Sequence, residues 1–265
     1  MAKPTFAATL LQKIDMSDFE NANSSLVSPR PLRTWDFMET TFVALIAYGV
    51  FIFASEFFFN IISDVYDGRK TLSPAQLQTW AMQEGLESTA LILASLPAIA
   101  VLWIAIRMAR REFAEYLALN WPNPGELGRA LAIMAIVLMV ESLVVAGTKN
   151  APVDPYLRAA GASGLLIYLI SACIVSPLME EFLVRGFMFR GWSQSFLGPI
   201  GAIVLTSVVW TMLHTQRDWF AQFCIFVTGV LLGHFRWRSN STWLAVMVHS
   251  AINIFVFFIW TLLYA

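Results

Sequence analysis

One apolar stretch of the chain is interrupted by two adjacent carboxylates and an arginine. Glu180, Glu181 and Arg185 follow 21 uncharged residues, 159–179. Charged side chains in an apolar segment of membrane-spanning length are costly, and by default they are candidates for function. On a helix Glu181 and Arg185 are four residues apart and share a face, whereas Glu180 is rotated by about 100°. Arg185 can therefore neutralise Glu181, and Glu180 is left as a carboxylate able to act as a general base.

The three histidines of the chain all lie in later apolar segments. His214 ends one of these segments, and His249 forms a second pair at helical spacing with Asn253. His234 lies at the edge of its segment, next to basic residues, and is interpreted as an interfacial side chain. His214, His249 and Asn253 are therefore the candidates to work with the carboxylates.

The expected turns place these side chains at similar depths. Glu181 and His214 are almost equally far along the chain from a turn expected near Leu197. His249 follows a second turn near Asn240, on the same side, by about 13 Å of helix. Two carboxylates, two imidazoles and an amide from three helices are predicted to converge inside the membrane.

The composition indicates a membrane protein. Of the 265 residues, 58% are hydrophobic and 13% are charged, whereas a soluble domain carries roughly a quarter charged residues. The net charge of −1 provides no basic field that would attract nucleic acid. The two cysteines, Cys173 and Cys224, lie in apolar runs and are interpreted as buried small hydrophobic residues. We expect an all-α fold, a polytopic membrane helical bundle.

A spanning helix needs about 20 mostly apolar residues, and the chain is predicted to form seven or eight of them. Seven segments can be placed: 37–63, 88–109, 130–148, 161–189, 198–215, 219–236 and 242–263. The segment 112–128 is too polar to span and is predicted to be a loop with a short interfacial helix. Residues 1–36 are expected to form a polar cytoplasmic tail ahead of a transmembrane domain, 37–265.

Basic residues are concentrated on one side of this predicted bundle. They are Arg30, Arg33, Arg107, Arg110, Arg111, Arg129, Arg190, Arg236 and Arg238. Because loops rich in arginine and lysine face the cytoplasm, the N-terminus is expected there. The localisation predicted is a multi-pass protein of the cell (inner or plasma) membrane.

Two more carboxylates interrupt predicted spans. Glu56 lies in the first and Glu141 in the third, and each is the only charged residue in the middle of its segment. A lone carboxyl group can stay protonated and hydrogen-bond a neighbouring helix. A structural role is therefore predicted for both.

The order of these motifs resembles a known family. Glu-Glu-x-x-x-Arg, then aromatic-x-x-x-His, then His-x-x-x-Asn is similar to the CPBP intramembrane proteases, which include type II CAAX prenyl endopeptidases and bacteriocin-processing or immunity proteins. The segment from Gly229 to Asn253 also resembles the family's penultimate helix, short turn and last motif. The resemblance covers roughly 160–260, the expected catalytic core. One departure is Trp210, where the family usually has phenylalanine.

The resemblance implies hydrolysis of a peptide bond in a membrane-bound protein or peptide, prenylated or not. It maps onto Glu180, Glu181, Arg185, His214, His249 and Asn253. A carboxylate can activate water, His214 can orient that water, and His249 with Asn253 can donate to an oxyanion. A zinc ion held by Glu180, His214 and His249 would instead activate the water itself. Both mechanisms stay open, although the chain has no His-Glu-x-x-His motif.

Three other functions are compatible with parts of the sequence. Gly161-Ala162-Ser163-Gly164 matches a short serine-protease pattern of the rhomboid type, but that function leaves the charged residues without a role. A proton-coupled secondary transporter also uses intramembrane carboxylates and histidines, although no internal repeat is evident. A non-catalytic scaffold or bacteriocin-immunity member of the same fold would retain the motifs without cleaving.

Overall fold

The computed structural model describes residues 33–67, 80–148, 161–214 and 218–264. Within these ranges the chain forms helices and no strand, so the predicted all-α membrane bundle is confirmed. The helices are α1 (Phe37–Asp67), α2 (Trp80–Met108), α3 (Phe113–Tyr116), α4 (Pro124–Thr148), α5 (161–193), α6 (Gly198–Met212), α7 (Trp219–Ser239) and α8 (Thr242–Tyr264). Of the predicted tail, 1–36, residues 1–32 lie outside the described residues.

Five of these helices, α1, α2, α4, α5 and α7, are long and apolar enough to cross a membrane. Helix α6 and the part of α8 as far as Phe258 are shorter apolar helices. The 15 residues of α6 extend only about 22 Å, whereas the hydrocarbon core of a bilayer is about 30 Å thick. Helix α6 is therefore shorter than the predicted span 198–215 and too short to cross the bilayer. His214 lies in the turn that follows it.

Helix α4 begins at Pro124 rather than at residue 130, because the sequence around Asn123 caps it. Asn123 Oδ1 accepts a hydrogen bond from Gly125 N at 2.8 Å, and Glu126 Oε2 accepts one from Asn123 N at 3.3 Å. This reciprocal arrangement is a capping box. Pro124 occupies the first helical position, where its missing N–H has no cost. The loop expected at 112–128 is thus shorter than predicted, and its short helix is α3.

The segment between α2 and α4 is bound to the ends of α5 and α8. Thr242 N donates to the carbonyl of Ala118 at 2.9 Å, and Arg190 Nη2 donates to Glu115 Oε1 at 3.0 Å. A hydrogen bond from Arg111 lowers the pKa of Glu115, so this carboxylate stays ionised at neutral pH. The segment therefore holds together the ends of two helices that carry candidate site residues.

Helix α5 lies at the centre of the bundle. Every residue in 181–189 is buried, as expected for a helix that is packed on all sides. Helices α1 and α2 pack against each other, and their buried residues are mostly small. They include Ala44, Ala47, Ala54, Ala90, Ala94 and Ala98. Small side chains allow membrane helices to approach closely, so α1 and α2 form a tight pair beside the central helix.

The first part of α5 contains a π-helical stretch, Ser171–Val175. In it Ser176 N bonds the carbonyl of Ser171, five residues earlier. The same pattern would pair the carbonyl of Ala172 with the N–H of residue 177, but Pro177 has no N–H. The carbonyl of Ala172 therefore needs a donor from elsewhere, and π-helical turns of this kind are frequent at functional sites.

Candidate active site

Glu181 and Arg185 are both fully buried in α5 and form an ion pair. Arg185 Nη1 donates to Glu181 Oε1 at 3.0 Å. Arg185 Nη2 also donates to the carbonyl of Gly229 in α7, at 3.3 Å. The two side chains that helical spacing places on one face are thus in contact, and the arginine also connects α5 to α7.

Glu181 has a second partner, from α8. His249 Nδ1 lies 2.9 Å from Glu181 Oε1. Because a carboxylate oxygen accepts, Nδ1 carries the hydrogen, and Nε2 is the nitrogen left for other contacts. Glu181 therefore orients the His249 ring in addition to pairing with Arg185.

His214 is oriented by the end of its own helix. Its Nδ1 lies 2.9 Å from the carbonyl oxygen of Trp210, which can only accept, so Nδ1 carries the hydrogen here too. The same carbonyl accepts a hydrogen bond from Leu213 N at 3.2 Å. The imidazole thus caps α6, and both site histidines keep Nε2 for other contacts.

Glu180 is half-buried and is bound by an indole. Trp210 Nε1 donates to Glu180 Oε2 at 2.6 Å. The Trp210 ring also lies 5.3 Å from the ring centroids of both His214 and His249, and 4.5 Å from the guanidinium carbon of Arg185. Candidate residues from α5, α6 and α8 therefore meet around one tryptophan.

The contribution of Trp210 is not evident from the motif alone, in which it only replaces one aromatic ring with another. The signal that points to it is chemical. A buried tryptophan usually finds an acceptor for its N–H, and acceptors other than backbone carbonyls are few in an apolar bundle. The carboxylates of α5 are such acceptors.

Asn253 contacts the irregular part of α5. Its Nδ2 donates to the carbonyl of Ala172 at 2.7 Å, the group that Pro177 leaves without an intrahelical donor. An amide NH₂ has two hydrogens, so this bond still leaves one for another acceptor. The geometry gives Asn253 a structural contact, and its predicted donation to an oxyanion stays a prediction.

Asn253→Ala is expected to destabilise the fold by about 1–3 kcal/mol, because the half-buried carbonyl of Ala172 would lose its partner. Asn60→Ala is a matched control. Asn60 Nδ2 also donates to a backbone carbonyl at 2.7 Å, but within α1 and at an exposed position. Its loss should change the unfolding free energy by no more than about 0.5 kcal/mol. Unfolding in detergent measures both, and equal effects would contradict this account of Asn253.

Arg236 is a further buried cation at the site's edge. Its predicted place in a loop is wrong, because α7 continues to Ser239 and Arg236 is only 3% exposed. Its Nε donates to the carbonyl of Arg185 at 3.1 Å, and its Nη1 donates to Asn240 Oδ1 at 3.2 Å. Arg236 therefore fixes the backbone of α5 beside the ion pair.

The other ionisable side chains of the spans have different surroundings. His234 is exposed on α7, and Glu56 is exposed on α1. The Glu141 carboxyl accepts a hydrogen bond from the Cys224 thiol, which links α4 to α7. Cys173 is buried as expected, whereas Cys224 is only half-buried, so the prediction that both are buried is wrong for Cys224.

The three residues considered as zinc ligands do not form a metal-binding group in this arrangement. Over the described ranges, no three His, Cys, Asp or Glu side chains form a group that could hold a metal ion. We therefore assign no chemical step to a metal.

Comparison with known families identifies the same part of the chain. Residues 162–255, just over a third of the sequence, match the family described as type II CAAX prenyl endopeptidase Rce1-like. The match runs from α5 into α8 and includes all six candidate site residues. No curated protein and no solved structure matches the chain. The predicted resemblance to the CPBP proteases is thus confirmed, and the α5–α8 part of this membrane protein is similar to the Rce1-like type II CAAX prenyl endopeptidases.

Proposed function

We propose that this protein hydrolyses a peptide bond in a prenylated, membrane-bound peptide or protein, using a water molecule activated by Glu180. The family match supports a CAAX-type intramembrane endopeptidase in general. The observation that carries the proposal further is the meeting of Glu180 of α5, His214 of the turn after α6 and His249 of α8 around the buried Trp210 ring. Ionisable side chains gathered inside an apolar bundle cost stability, and such side chains are by default candidates for function.

Glu180 is the carboxylate best suited to act as the base. The cation beside it, Arg185, is already paired with Glu181, and Glu181 is also hydrogen-bonded to His249. Glu180 is in addition the more exposed of the two carboxylates, since it is half-buried and Glu181 is fully buried. Glu180 takes a proton from water as the water oxygen attacks the scissile carbonyl carbon. His214 orients the same water through Nε2.

The negative charge that develops on the carbonyl oxygen requires donors. With hydrogens on both ring nitrogens His249 donates Nε2–H, and the Glu181 carboxylate accepts from Nδ1–H and orients the ring, as a carboxylate does for the histidine of a serine-protease triad. The second amide hydrogen of Asn253 is the other donor. When the C–N bond breaks, the proton held by Glu180 passes to the leaving nitrogen, which completes the hydrolysis.

The membrane placement follows from the helices. Five of them have the length and composition of membrane spans, so the protein is a multi-pass membrane protein. We place it in the inner or plasma membrane with a cytoplasmic N-terminus, which the basic residues of the loops support. The substrate then reaches the site from the lipid phase, as a prenyl group would allow.

The test uses the full-length protein in liposomes and a quenched fluorescent peptide that ends in a farnesylated Cys-a-a-X sequence. Cleavage is expected with the wild type. His214→Ala and His249→Ala should each lose about 10²–10³-fold in rate, the usual cost of removing a group that stabilises the transition state. His234→Ala is the matched control, because His234 is exposed on α7, and it should retain nearly the full rate.

Three results would contradict parts of this proposal. No cleavage by the wild type would favour a non-catalytic member of the family. A His234 variant as slow as the other two would show that the assignment of the histidines is wrong. Stoichiometric zinc in the purified protein, whose removal stops cleavage and whose return restores it, would replace the metal-free mechanism. The same peptide without its farnesyl group measures how far cleavage depends on prenylation.

A further inference from the structure

We propose that Trp210 is a positioning residue, whose indole N–H holds the Glu180 carboxylate in the orientation that catalysis requires. This inference rests on the proposed function of Glu180. The hydrogen bond from Trp210 Nε1 reaches Glu180 Oε2 at 2.6 Å. It occupies one carboxylate oxygen and leaves Oε1 as the oxygen that takes the proton from water.

The indole is itself held firmly. Trp210 is only 4% exposed, and the guanidinium of Arg185 lies over its ring at 4.5 Å. Helix α7 can pack closely against the Trp210 ring because it has Gly229 at the point of contact. A Cβ at Gly229 would come within 3.2 Å of Trp210 Cε3 and within 3.1 Å of Ser207 Cβ. The donor therefore has a fixed direction, as positioning of a reacting group requires.

Glu180 depends on such a donor more than its neighbour does. Glu181 is oriented by Arg185 and His249, both through its Oε1 atom. Glu180 lies on a different face of α5 and receives the Trp210 hydrogen bond instead. A half-buried carboxylate without a fixed donor would sample several rotamers, and small misplacements of a reacting group reduce rates strongly. The indole N–H thus does for Glu180 what Arg185 does for Glu181.

The test compares Trp210→Phe with the wild type on the farnesylated reporter peptide. Phenylalanine keeps an aromatic ring but has no donor. The free energy of a hydrogen bond to a charged group corresponds to about a tenfold to hundredfold change in rate. The kcat should therefore fall by about that factor. KM should stay within about twofold of the wild-type value, because the lost bond acts on the base and not on the bound peptide.

Trp192→Phe is the matched control. Trp192 is 3% exposed, and its Nε1 also donates across helices, to Thr41 Oγ1 at 3.1 Å. Its loss removes a buried indole hydrogen bond that does not involve the site. The control variant should therefore keep kcat and KM, even if both variants unfold at a lower temperature than the wild type.

A second variant removes the N–H without changing the shape of the ring. A benzothienyl analogue of tryptophan, introduced at position 210 as a non-natural amino acid, has sulfur in place of Nε1–H. It should show the same fall in kcat as Trp210→Phe, and it keeps the test valid if phenylalanine leaves a cavity that unfolds the protein.

The outcomes separate this inference from the proposed function. Wild-type kcat in the benzothienyl variant overturns the positioning role, and so does a rise in KM with kcat unchanged. An equal fall in kcat in the Trp192 control also overturns it, because the effect would then come from general destabilisation. A wild type that does not cleave, or a Glu180→Gln variant that cleaves at full rate, overturns the proposed function itself.

Discussion

Glu180→Gln is expected to abolish cleavage while the protein stays folded in the membrane. A glutamine side chain cannot take a proton from water, and general bases contribute about 10²–10⁴-fold to rates. Its amide oxygen can still accept the hydrogen bond from Trp210 Nε1 that Glu180 Oε2 accepts now, so the local packing should survive. The measurement is kcat on the farnesylated reporter, together with thermal unfolding of the same preparation in detergent.

Glu141→Gln is the control for this experiment. Glu141 is also a carboxyl group within a membrane span, but it is bound by the Cys224 thiol between α4 and α7. Removal of its charge should leave kcat unchanged. Full activity in Glu180→Gln would show that Glu180 is not the base. An equal loss in Glu141→Gln would show that the effect comes from any loss of an intramembrane carboxyl group.

Arg185→Ala is expected to cause the largest loss of stability. Arg185 and Glu181 are both fully buried, and removal of one partner leaves an uncompensated charge in the bundle. Such a change typically costs about 3–5 kcal/mol. The variant also loses the hydrogen bond to the carbonyl of Gly229 that joins α5 to α7. The unfolding free energy from a denaturing-detergent titration measures the loss.

Arg107→Ala provides the comparison with an exposed ion pair. Arg107 Nη1 lies 2.5 Å from Glu112 Oε1, but the two side chains are 49% and 79% exposed. Exposed pairs contribute about 0–1 kcal/mol, so this variant should be nearly as stable as the wild type. A similar, small effect in Arg185→Ala would contradict the importance of the buried pair.

The double variant Glu181→Gln, Arg185→Met separates charge from contact. Because it removes both charges, it should recover part of the stability that Arg185→Ala loses. Its activity should stay low, since the carboxylate that orients His249 is then absent. Recovery of full activity would show that Glu181 has only a structural role.

Most of the helices could be predicted from the sequence because the signal for them is local. A run of apolar residues predicts a membrane helix by itself, and the seven predicted runs correspond to α1, α2 and α4–α8, of which five are long and apolar enough to span. The errors occur at helix ends. The capping box at Asn123 starts α4 early, and α6 stops at Met212, before the predicted end at 215.

The contact between Glu181 and Arg185 is also local, since the two residues are one turn apart on a single helix. Spacing along α5 is therefore enough to predict it. The convergence of Glu180, His214 and His249 was likewise predictable in outline, because turn positions set the depth of a residue along a helix of known rise.

The tertiary structure alone decided which atom of each candidate residue binds which partner. His249 Nδ1 meets Glu181 Oε1 across 68 positions of sequence, and Trp210 Nε1 meets Glu180 Oε2 across 30. Asn253 finds the carbonyl that Pro177 leaves free, and Arg236 is buried against the backbone of α5. These contacts depend on how the helices are rotated and packed against one another. Residue spacing along one helix does not contain that information, because every ring and amide can point in several directions until a neighbouring helix selects one.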